Sequence, residues 1–158
     1  MHPTAERFAD RARAEYDFEA SVEEFPDGTK TAADAADAVG CTVGQIVKSI
    51  VLTADGDPVV VLTAGDHRVD EDGFAAAVGA DAVEMADADE VKAATGWSIG
   101  GVPPFCHDTD LPVYLDESLT AHDTVWAAAG TPEAVFAVTP DALRRIASPE
   151  PVAAFTES

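Results

Sequence analysis

The chain has 158 residues, 47% of them hydrophobic, so it can bury a core and is too apolar for a disordered segment. Thirty acidic residues against nine basic ones give a formal net charge of -21. Taken at face value, such a surface disfavours nucleic acid, DNA included, because phosphate contacts need lysine and arginine. The sequence has neither an apolar run of bilayer length nor a secretion signal, so we expect one domain over residues 1–158, soluble, cytoplasmic and away from membranes.

Helices are expected where apolar residues recur at helical spacing, most of them ending at a glycine: 3–16, 32–39, 70–78, 87–95 and 142–147, with a short helical turn at 43–47. Strands are expected in the alternating or β-branched runs: 18–25, 49–53, 59–63, 82–85, 113–115, 125–128 and 134–138. Hairpins and helices are mixed without strict βαβ alternation. The order therefore favours an α+β fold around a mixed or antiparallel central sheet.

Local signals mark several boundaries of these elements. Thr31 has the residue type and position of a helix N-cap, and Thr139-Pro140 starts the last helix with proline at its first position. Turns are predicted at 26–29 and at 55–57. The residues after Ser148 are expected to form a loose tail.

The acidic residues are spread along the chain rather than gathered into a tail, which indicates a solvated surface of the kind that halophilic proteins use. We therefore expect a protein from a salt-loving organism. Its three lysines, Lys30, Lys48 and Lys92, become informative because they are scarce. The two cysteines, Cys41 and Cys106, are expected to be reduced and fit no zinc pattern.

The first candidate functional segment is the loop Gly100-Gly101-Val102-Pro103-Pro104-Phe105. It could be an ordinary stiff turn. Alternatively, two residues without Cβ atoms let a ligand approach the backbone, and the prolines hold the neighbouring N–H groups in place. Donors fixed in this way can bind an ester oxygen or orient an attacking hydroxyl.

The second candidate is Lys48, the only lysine of the apolar run Gln45–Leu52. It could be an exposed charge at the end of a strand. A partly desolvated ammonium at this position could instead hold a carbonyl or a phosphate. The sequence offers no clear nucleophile beside it, so any chemistry would borrow groups from the substrate.

Other patterns resemble catalytic groups more weakly. Cys106 and His107 are adjacent, and adjacent side chains in a strand or loop point apart, which argues against a dyad. Asp116, Ser118 and His122 have the residue types of a serine triad without the Gly-x-Ser-x-Gly turn. The spacing of the histidines indicates no metal site; they include His67, His107 and His122.

Taken in order along the chain, these segments resemble the YbaK/prolyl-tRNA synthetase-associated domain family. The lysine motif and the Gly-Gly-x-x-Pro loop are fairly specific together, and the resemblance covers nearly the whole chain. The matching segments are 31–36, 44–49, 100–105, 111–113 with Asp116, and 123–130.

The resemblance implies an editing hydrolase without a cofactor that cleaves the ester between a small, wrongly attached amino acid and tRNA, with tRNA(Pro) foremost. It implies a central mixed, partly barrel-like sheet surrounded by helices, and partners that are the aminoacyl-tRNA 3′ end and a prolyl-tRNA synthetase. By similarity, Lys48 holds the terminal adenosine, and the amides around Gly101 orient the carbonyl or the ribose 2′-hydroxyl. The substrate contacts it implies are Phe25, Ser49, Gly100, Val102, Pro103, Thr124 and Gly130.

One position departs from the family pattern. Some cysteine-clearing relatives have a carboxylate in the late strand where this chain has Val135, so a preference for cysteine is not implied. Two alternatives stay open: a module that binds a nucleotide or an aminoacyl-tRNA end without turnover, and an unrelated hydrolase that uses Ser118 or Cys106.

Overall fold

The computed structural model describes residues 2–25 and 31–152, and the backbone of 155–157. The α-helices are α1 (Pro3–Tyr16), α2 (Ala32–Val39), α3 (Glu71–Val78), α4 (Ala88–Thr95) and α5 (Pro140–Ala147). The strands are β1 (Val22–Glu24), β2 (Ile46–Ala54), β3 (Asp57–Ala64), β4 (His67–Val69), β5 (Val83–Met85), β6 (Val113–Asp116), β7 (Val125–Ala128), β8 (Ala134–Val138), β9 (Glu150–Val152) and β10 (Phe155–Glu157). Short 3-10 helices span Val43–Gln45 and Glu117–Ala121.

Side-chain caps and one tight turn define the predicted boundaries. The Thr31 hydroxyl accepts the Asp34 N–H at 3.1 Å, and the Thr139 hydroxyl accepts the Ala142 N–H at 3.1 Å, so both predicted N-caps are confirmed. The predicted hairpin at 55–57 is also confirmed, since β2 and β3 pair up to Ala54 and Asp57. The predicted turn at 26–29 begins at the edge of the described residues and lies outside them.

The central sheet is mixed. Its strand order is β1-β8-β7-β2-β3-β6-β9, and β5 pairs with β2 beside this path. The β2–β7, β3–β6 and β6–β9 pairs are parallel, and the other pairs of this sheet are antiparallel. This confirms the predicted α+β fold with a mixed central sheet and surrounding helices.

The main core lies between α1 and one face of the sheet. Phe8 of α1 is fully buried, with its ring 4.8 Å from that of Phe136 on β8 and 5.7 Å from that of Phe105. Trp97 contacts Phe8 edge-on, and its Nε1–H donates to the Cys106 carbonyl at 2.9 Å. Aromatic burial of this size stabilises a domain by several kcal/mol. Here it fixes the chain on both sides of residues 100–105, the Gly-Pro loop.

Two expectations from the sequence are wrong, and two elements were not predicted. The first strand covers Val22–Glu24 rather than 18–25. The strand β4 and the 3-10 helix Glu117–Ala121 fall in segments for which the sequence predicted no helix or strand. The expected loose tail after Ser148 instead contains two paired strands in its described part, since β9 pairs with β6 and β10 pairs with β4. Their partners are distant in sequence, so local periodicity gives no sign of this pairing.

Candidate active site

The sheet opens beside the middle of β2. On the edge away from β3, β2 pairs with β7 only at Ile46 and Val47 and with β5 from Leu52 onward. The Val51 carbonyl accepts the Ala86 N–H at 3.1 Å. Between these contacts, the described strands leave residues 48–50 without a paired neighbour on this edge.

A cavity of about 310 Å³ occupies this opening. Its walls come from α2, the middle of β2, the start of the Gly-Pro loop, and strands β7 and β8. Its lining is mostly apolar, as Ala35, Val91, Ile99, Trp126 and Val135 illustrate. A largely apolar pocket with few polar groups is the usual form of a small-ligand site.

Lys48 enters this cavity from the face of β2 that α2 covers. Side chains alternate along a strand, so Lys48 lies on the same face as Ile46, which packs with Ala35 of α2. The pairing of Ile46 with Trp126 and of Ala128 with Val135 places Trp126, Ala128 and Val135 on that face too. Lys48 is therefore the one ammonium among the described residues that line the cavity.

The ammonium of Lys48 is half-buried and anchored to backbone. Its Nζ donates to the His67 carbonyl at 2.6 Å. Burial lowers the pKa of Lys48, the nearby Arg68 lowers it further, and Asp66 and Asp116 oppose the shift. An ammonium carries three donors, and the described residues place this one acceptor within hydrogen-bond distance of it, so donors remain for a substrate oxygen.

Ser49 presents its backbone to the opening. The Ile46 carbonyl accepts the Gly65 N–H on the β3 side, whereas the Val51 carbonyl bonds Ala86 on the other side. Backbone groups alternate between the two edges of a strand, so those of Ser49, like those of Val51, face the opening. The Ser49 Oγ is buried without a hydrogen-bond partner among the described residues.

The Gly-Pro loop closes another wall of the cavity. Gly100 and Val102 line it, and Gly100 has φ +86°, a conformation that favours glycine. The N–H of Gly101 donates to the Ser98 carbonyl at 3.0 Å, and its Cα lies against the backbone of Thr131. The Gly101 N–H is therefore used within the loop, and a donor to a substrate would come from a neighbouring amide.

The structure brings Lys48 together with three of the expected contacts, Ser49, Gly100 and Val102. The described lining of the cavity does not include the other four, which are Pro103, Phe25, Thr124 and Gly130. Their backbone groups have other contacts. The Pro103 carbonyl lies 2.8 Å from His107 Nε2, the Phe25 N–H donates to the Glu133 carbonyl, and the Thr124 carbonyl accepts from Gln45. Gly130 packs against the Trp97 ring.

Beside the cavity, Asp116 joins two polar side chains. Its Oδ2 lies 2.7 Å from His67 Nδ1, and its Oδ1 accepts the Ser118 hydroxyl at 2.8 Å. Burial acts to raise the pKa of Asp116, but hydrogen bonds from His67, Ser118 and Ala64 outweigh it and leave the pKa lowered. Sequence reasoning grouped Asp116 and Ser118 with His122. The histidine beside them is His67, which no local signal connects to Asp116.

This cluster does not have the geometry of a serine triad. In a triad the histidine receives the serine proton on one ring nitrogen and bonds the carboxylate through the other. Here Asp116 and Ser118 both face Nδ1 of His67, at 2.7 Å and 3.4 Å. Since the carboxylate of Asp116 only accepts, Nδ1 carries a hydrogen and cannot take the proton of Ser118.

Cys106 has the environment of an inert thiol. It is buried, and burial raises its pKa to about 12, so it is protonated at neutral pH. Its neighbour His107 has a pKa lowered by burial. Within the described ranges, no group of three or more His, Cys, Asp or Glu side chains could hold a metal ion. None of the helices described here has the length and apolar character needed to cross a bilayer.

A comparison with known families identifies the class of protein to which this chain belongs. The model of the aminoacyl-tRNA editing domain matches residues 26–146, and the chain belongs to this family. The resemblance seen in the sequence is thereby confirmed.

Three individual proteins show what this chain is similar to. It is 36% identical over 126 residues to protein YwhH of Bacillus subtilis (strain 168), covering 79% of this chain and 80% of that protein. It is 39% identical to a solved structure described as a candidate trans-editing enzyme for prolyl tRNA synthetase, with a TM-score of 0.92 and coverage of 100% and 99%. A further match, 32% identical over 87 residues, is to the proline–tRNA ligase of Staphylococcus aureus (strain Newman); it covers 55% of this chain and 15% of the ligase.

Proposed function

We propose that this protein is a trans-acting aminoacyl-tRNA deacylase that hydrolyses the ester between a small, mischarged amino acid and tRNA, with tRNA(Pro) as the first candidate. The observation that carries the proposal is the half-buried ammonium of Lys48 inside an apolar cavity at the break in the sheet. The family match and the similarity to a candidate trans-editing enzyme support the same reaction.

The proposed chemistry uses few protein groups. Lys48 donates to an oxygen of the terminal adenosine or of the ester, in a site where a charge acts more strongly than in water. Water attacks the ester carbonyl directly, or a group of the substrate attacks it first and water then hydrolyses the resulting bond. The bond from the carbonyl carbon to the ribose oxygen breaks, and the products are a free amino acid and a tRNA with both terminal hydroxyls.

The shape of the cavity supports a small substrate side chain. Val135 and Trp126 line the cavity on the same face of the sheet as Lys48, and the lining contains no carboxylate among the described residues. Steric exclusion rejects larger side chains more sharply than an apolar pocket separates two that differ by a methylene. We therefore infer that the side chain is small and uncharged, as in alanine.

The charge of the protein is compatible with this substrate. A single-stranded 3′ end needs a narrow cleft and stacking or backbone contacts rather than a broad basic surface. With thirty acidic and nine basic residues, the chain has little surface for holding the body of a tRNA. We therefore propose that a prolyl-tRNA synthetase does most of the selection among tRNAs, either while the charged tRNA is bound to it or by releasing that tRNA to this protein. The site of action would be the cytoplasm.

The test is a single-turnover deacylation assay in molar KCl with a panel of tRNAs charged with alanine, serine, cysteine and proline. We expect the wild type to release at least one small amino acid, and Lys48→Ala to lower the rate at least about a hundredfold, as for a lost charge-stabilising donor. Lys92→Ala is the matched control: Lys92 lies on α4, and its Nζ donates to the Gly96 carbonyl.

The outcomes separate the alternatives. Tight binding of the charged tRNA without release would indicate a binding module in place of an enzyme. A full rate in Lys48→Ala would contradict the proposal that this ammonium acts in the reaction.

A further inference from the structure

We propose that His67 and Asp116 are positioning residues for Lys48: together they fix the backbone carbonyl that holds the ammonium at the cavity. This inference rests on the proposed function, but the contacts that lead from Asp116 through His67 to Lys48 can be tested without a substrate. Neither side chain is among the described residues that line the cavity, so both would act through Lys48.

Asp116 is the fixed point of this arrangement. It lies at the end of β6, and only 3% of its surface is exposed. Its Oδ1 accepts the N–H of Ser118 at 3.0 Å and the hydroxyl of Ser118 at 2.8 Å. Its Oδ2 accepts the Ala64 N–H at 3.1 Å and the Nδ1–H of His67 at 2.7 Å. A buried carboxylate with four hydrogen-bond donors is held in one geometry, because each alternative would leave donors unsatisfied.

The two groups held by Oδ2 flank the turn between β3 and β4. Ala64 ends β3 and His67 begins β4, and the residues Gly65-Asp66 join them. One carboxylate oxygen therefore binds both ends of the same two-residue turn. The position of the His67 backbone is set by Asp116 as well as by the pairing of β4 with β10.

The carbonyl of His67 is the acceptor for Lys48 Nζ, at 2.6 Å. A lysine side chain has four rotatable bonds and loses rotamer entropy when it is fixed. If the carbonyl anchor holds it before the substrate arrives, this cost is not incurred on binding. The remaining donors of the ammonium then point from a fixed position, and a misplacement of about 1 Å can cost a hundredfold in rate.

The competing explanation is that Asp116 and His67 only stabilise the turn. In that case the loss of either side chain lowers the melting temperature but does not change how fast the ammonium hydrogens of Lys48 exchange with water. The readout must therefore report on Lys48 itself. The chain has three lysines, so protein labelled with ¹⁵N-lysine gives few side-chain signals, and Lys48→Arg assigns the relevant one.

The experiment compares the exchange of the Lys48 ammonium hydrogens with water in the free wild type, His67→Ala, His67→Asn and Thr139→Ala. An asparagine at position 67 can still donate to Asp116, whereas alanine cannot. Thr139→Ala removes the N-cap of α5 and destabilises the protein away from Lys48, so it is the control for general destabilisation.

We expect His67→Ala to speed exchange of the Lys48 hydrogens and to lower kcat about tenfold or more, with a smaller change in KM. His67→Asn should stay within about threefold of wild type in both measurements, because the bond to Asp116 is kept. Thr139→Ala should lower the melting temperature without speeding exchange at Lys48. Asp116→Asn replaces His67→Ala in the comparison if the latter does not fold.

Unchanged exchange in a folded His67→Ala, or equal acceleration in Thr139→Ala, would overturn the proposal. So would a His67→Asn protein that behaves like His67→Ala. Absence of deacylation by the wild type is a different result: it refutes the proposed function, while the exchange measurement still decides whether His67 and Asp116 hold Lys48.

Discussion

The backbone of Gly101 lies so close to that of Thr131 that a Cβ on Gly101 would stand 2.6 Å from the Thr131 Cα. This contact joins the Gly-Pro loop to the turn between β7 and β8, next to Pro132, Gly100 and Val102, which line the cavity. The glycine is therefore required by close packing of two backbones. It sets the distance between two walls of the site.

Gly101→Ala should separate these walls. Backbone cannot move aside as a side-chain end can, so we expect a loss of about 1–3 kcal/mol in the free energy of unfolding and at least a tenfold loss of deacylation. Chemical denaturation and single-turnover assays measure the two effects. Gly79→Ala is the control for general destabilisation: Gly79 has a positive φ, so alanine strains the backbone there, but nothing lies within 4 Å of its added Cβ. Equal losses of activity in both variants would contradict the packing argument.

Ala128→Leu should reduce the range of amino acids accepted. Ala128 lines the cavity beside Val135, its paired residue on β8. A leucine side chain at position 128 therefore extends into the space proposed for the substrate side chain. Leucine adds three carbon atoms, so we expect kcat/KM for the larger substrates to fall by at least the roughly 10- to 200-fold that one methylene is worth in an apolar pocket, and less for glycine. Ala76→Leu, on an exposed position of α3, is the control. A uniform loss for all substrates would argue against this location.

Deacylation should decline on the alkaline side at a pH below the ordinary lysine value of 10.5, because burial lowers the pKa of Lys48. Because the charged form of Lys48 is the active one, the rate is highest below this pKa and falls as the pH rises through it. Rates are measured after subtracting spontaneous ester hydrolysis at each pH. Lys48→Arg stays protonated over the same range, so any activity it retains should lack this decline. The same decline in both proteins would assign it to another group.

Cys106→Ala should leave deacylation unchanged, because a buried thiol with a pKa of about 12 is a poor nucleophile. The variant should be somewhat less stable, since the side chain belongs to the main core. Ser118→Ala removes one of the hydrogen bonds to Asp116 and should cost activity at most about tenfold, far from the roughly 10³- to 10⁶-fold of a lost nucleophile. A complete loss of turnover in either variant would favour the unrelated hydrolase.

The melting temperature should rise between low salt and molar KCl. A net charge of -21 repels itself at low ionic strength, and at 1 M salt the screening length falls to about 3 Å. Calorimetry in matched KCl series measures the effect. Sucrose at equal osmolality is the control for general exclusion from the surface. A flat or falling melting temperature would contradict the expected adaptation to salt.

Much of this protein follows from short stretches of sequence. The caps at Thr31 and Thr139 and the β2–β3 hairpin depend on residues within three or four positions of one another. Lys48 and the Gly-Pro loop were predicted to form one site because each segment has its own residue pattern. In the structure, Lys48, Gly100 and Val102 line one cavity.

What remained hidden depends on contacts between distant segments. His67 and Asp116 are 49 residues apart, and β10 pairs with β4 across most of the chain. The opening in the sheet likewise exists because β7 and β5 pair with different parts of β2. Periodicity and turn chemistry report only on neighbours within a few residues, since the backbone conformations they favour are local. The sequence by itself therefore determined most of the elements and the two candidate motifs. The tertiary structure alone decided which carbonyl holds Lys48 and where the sheet opens, because chain pairing brings those groups together only in the folded state.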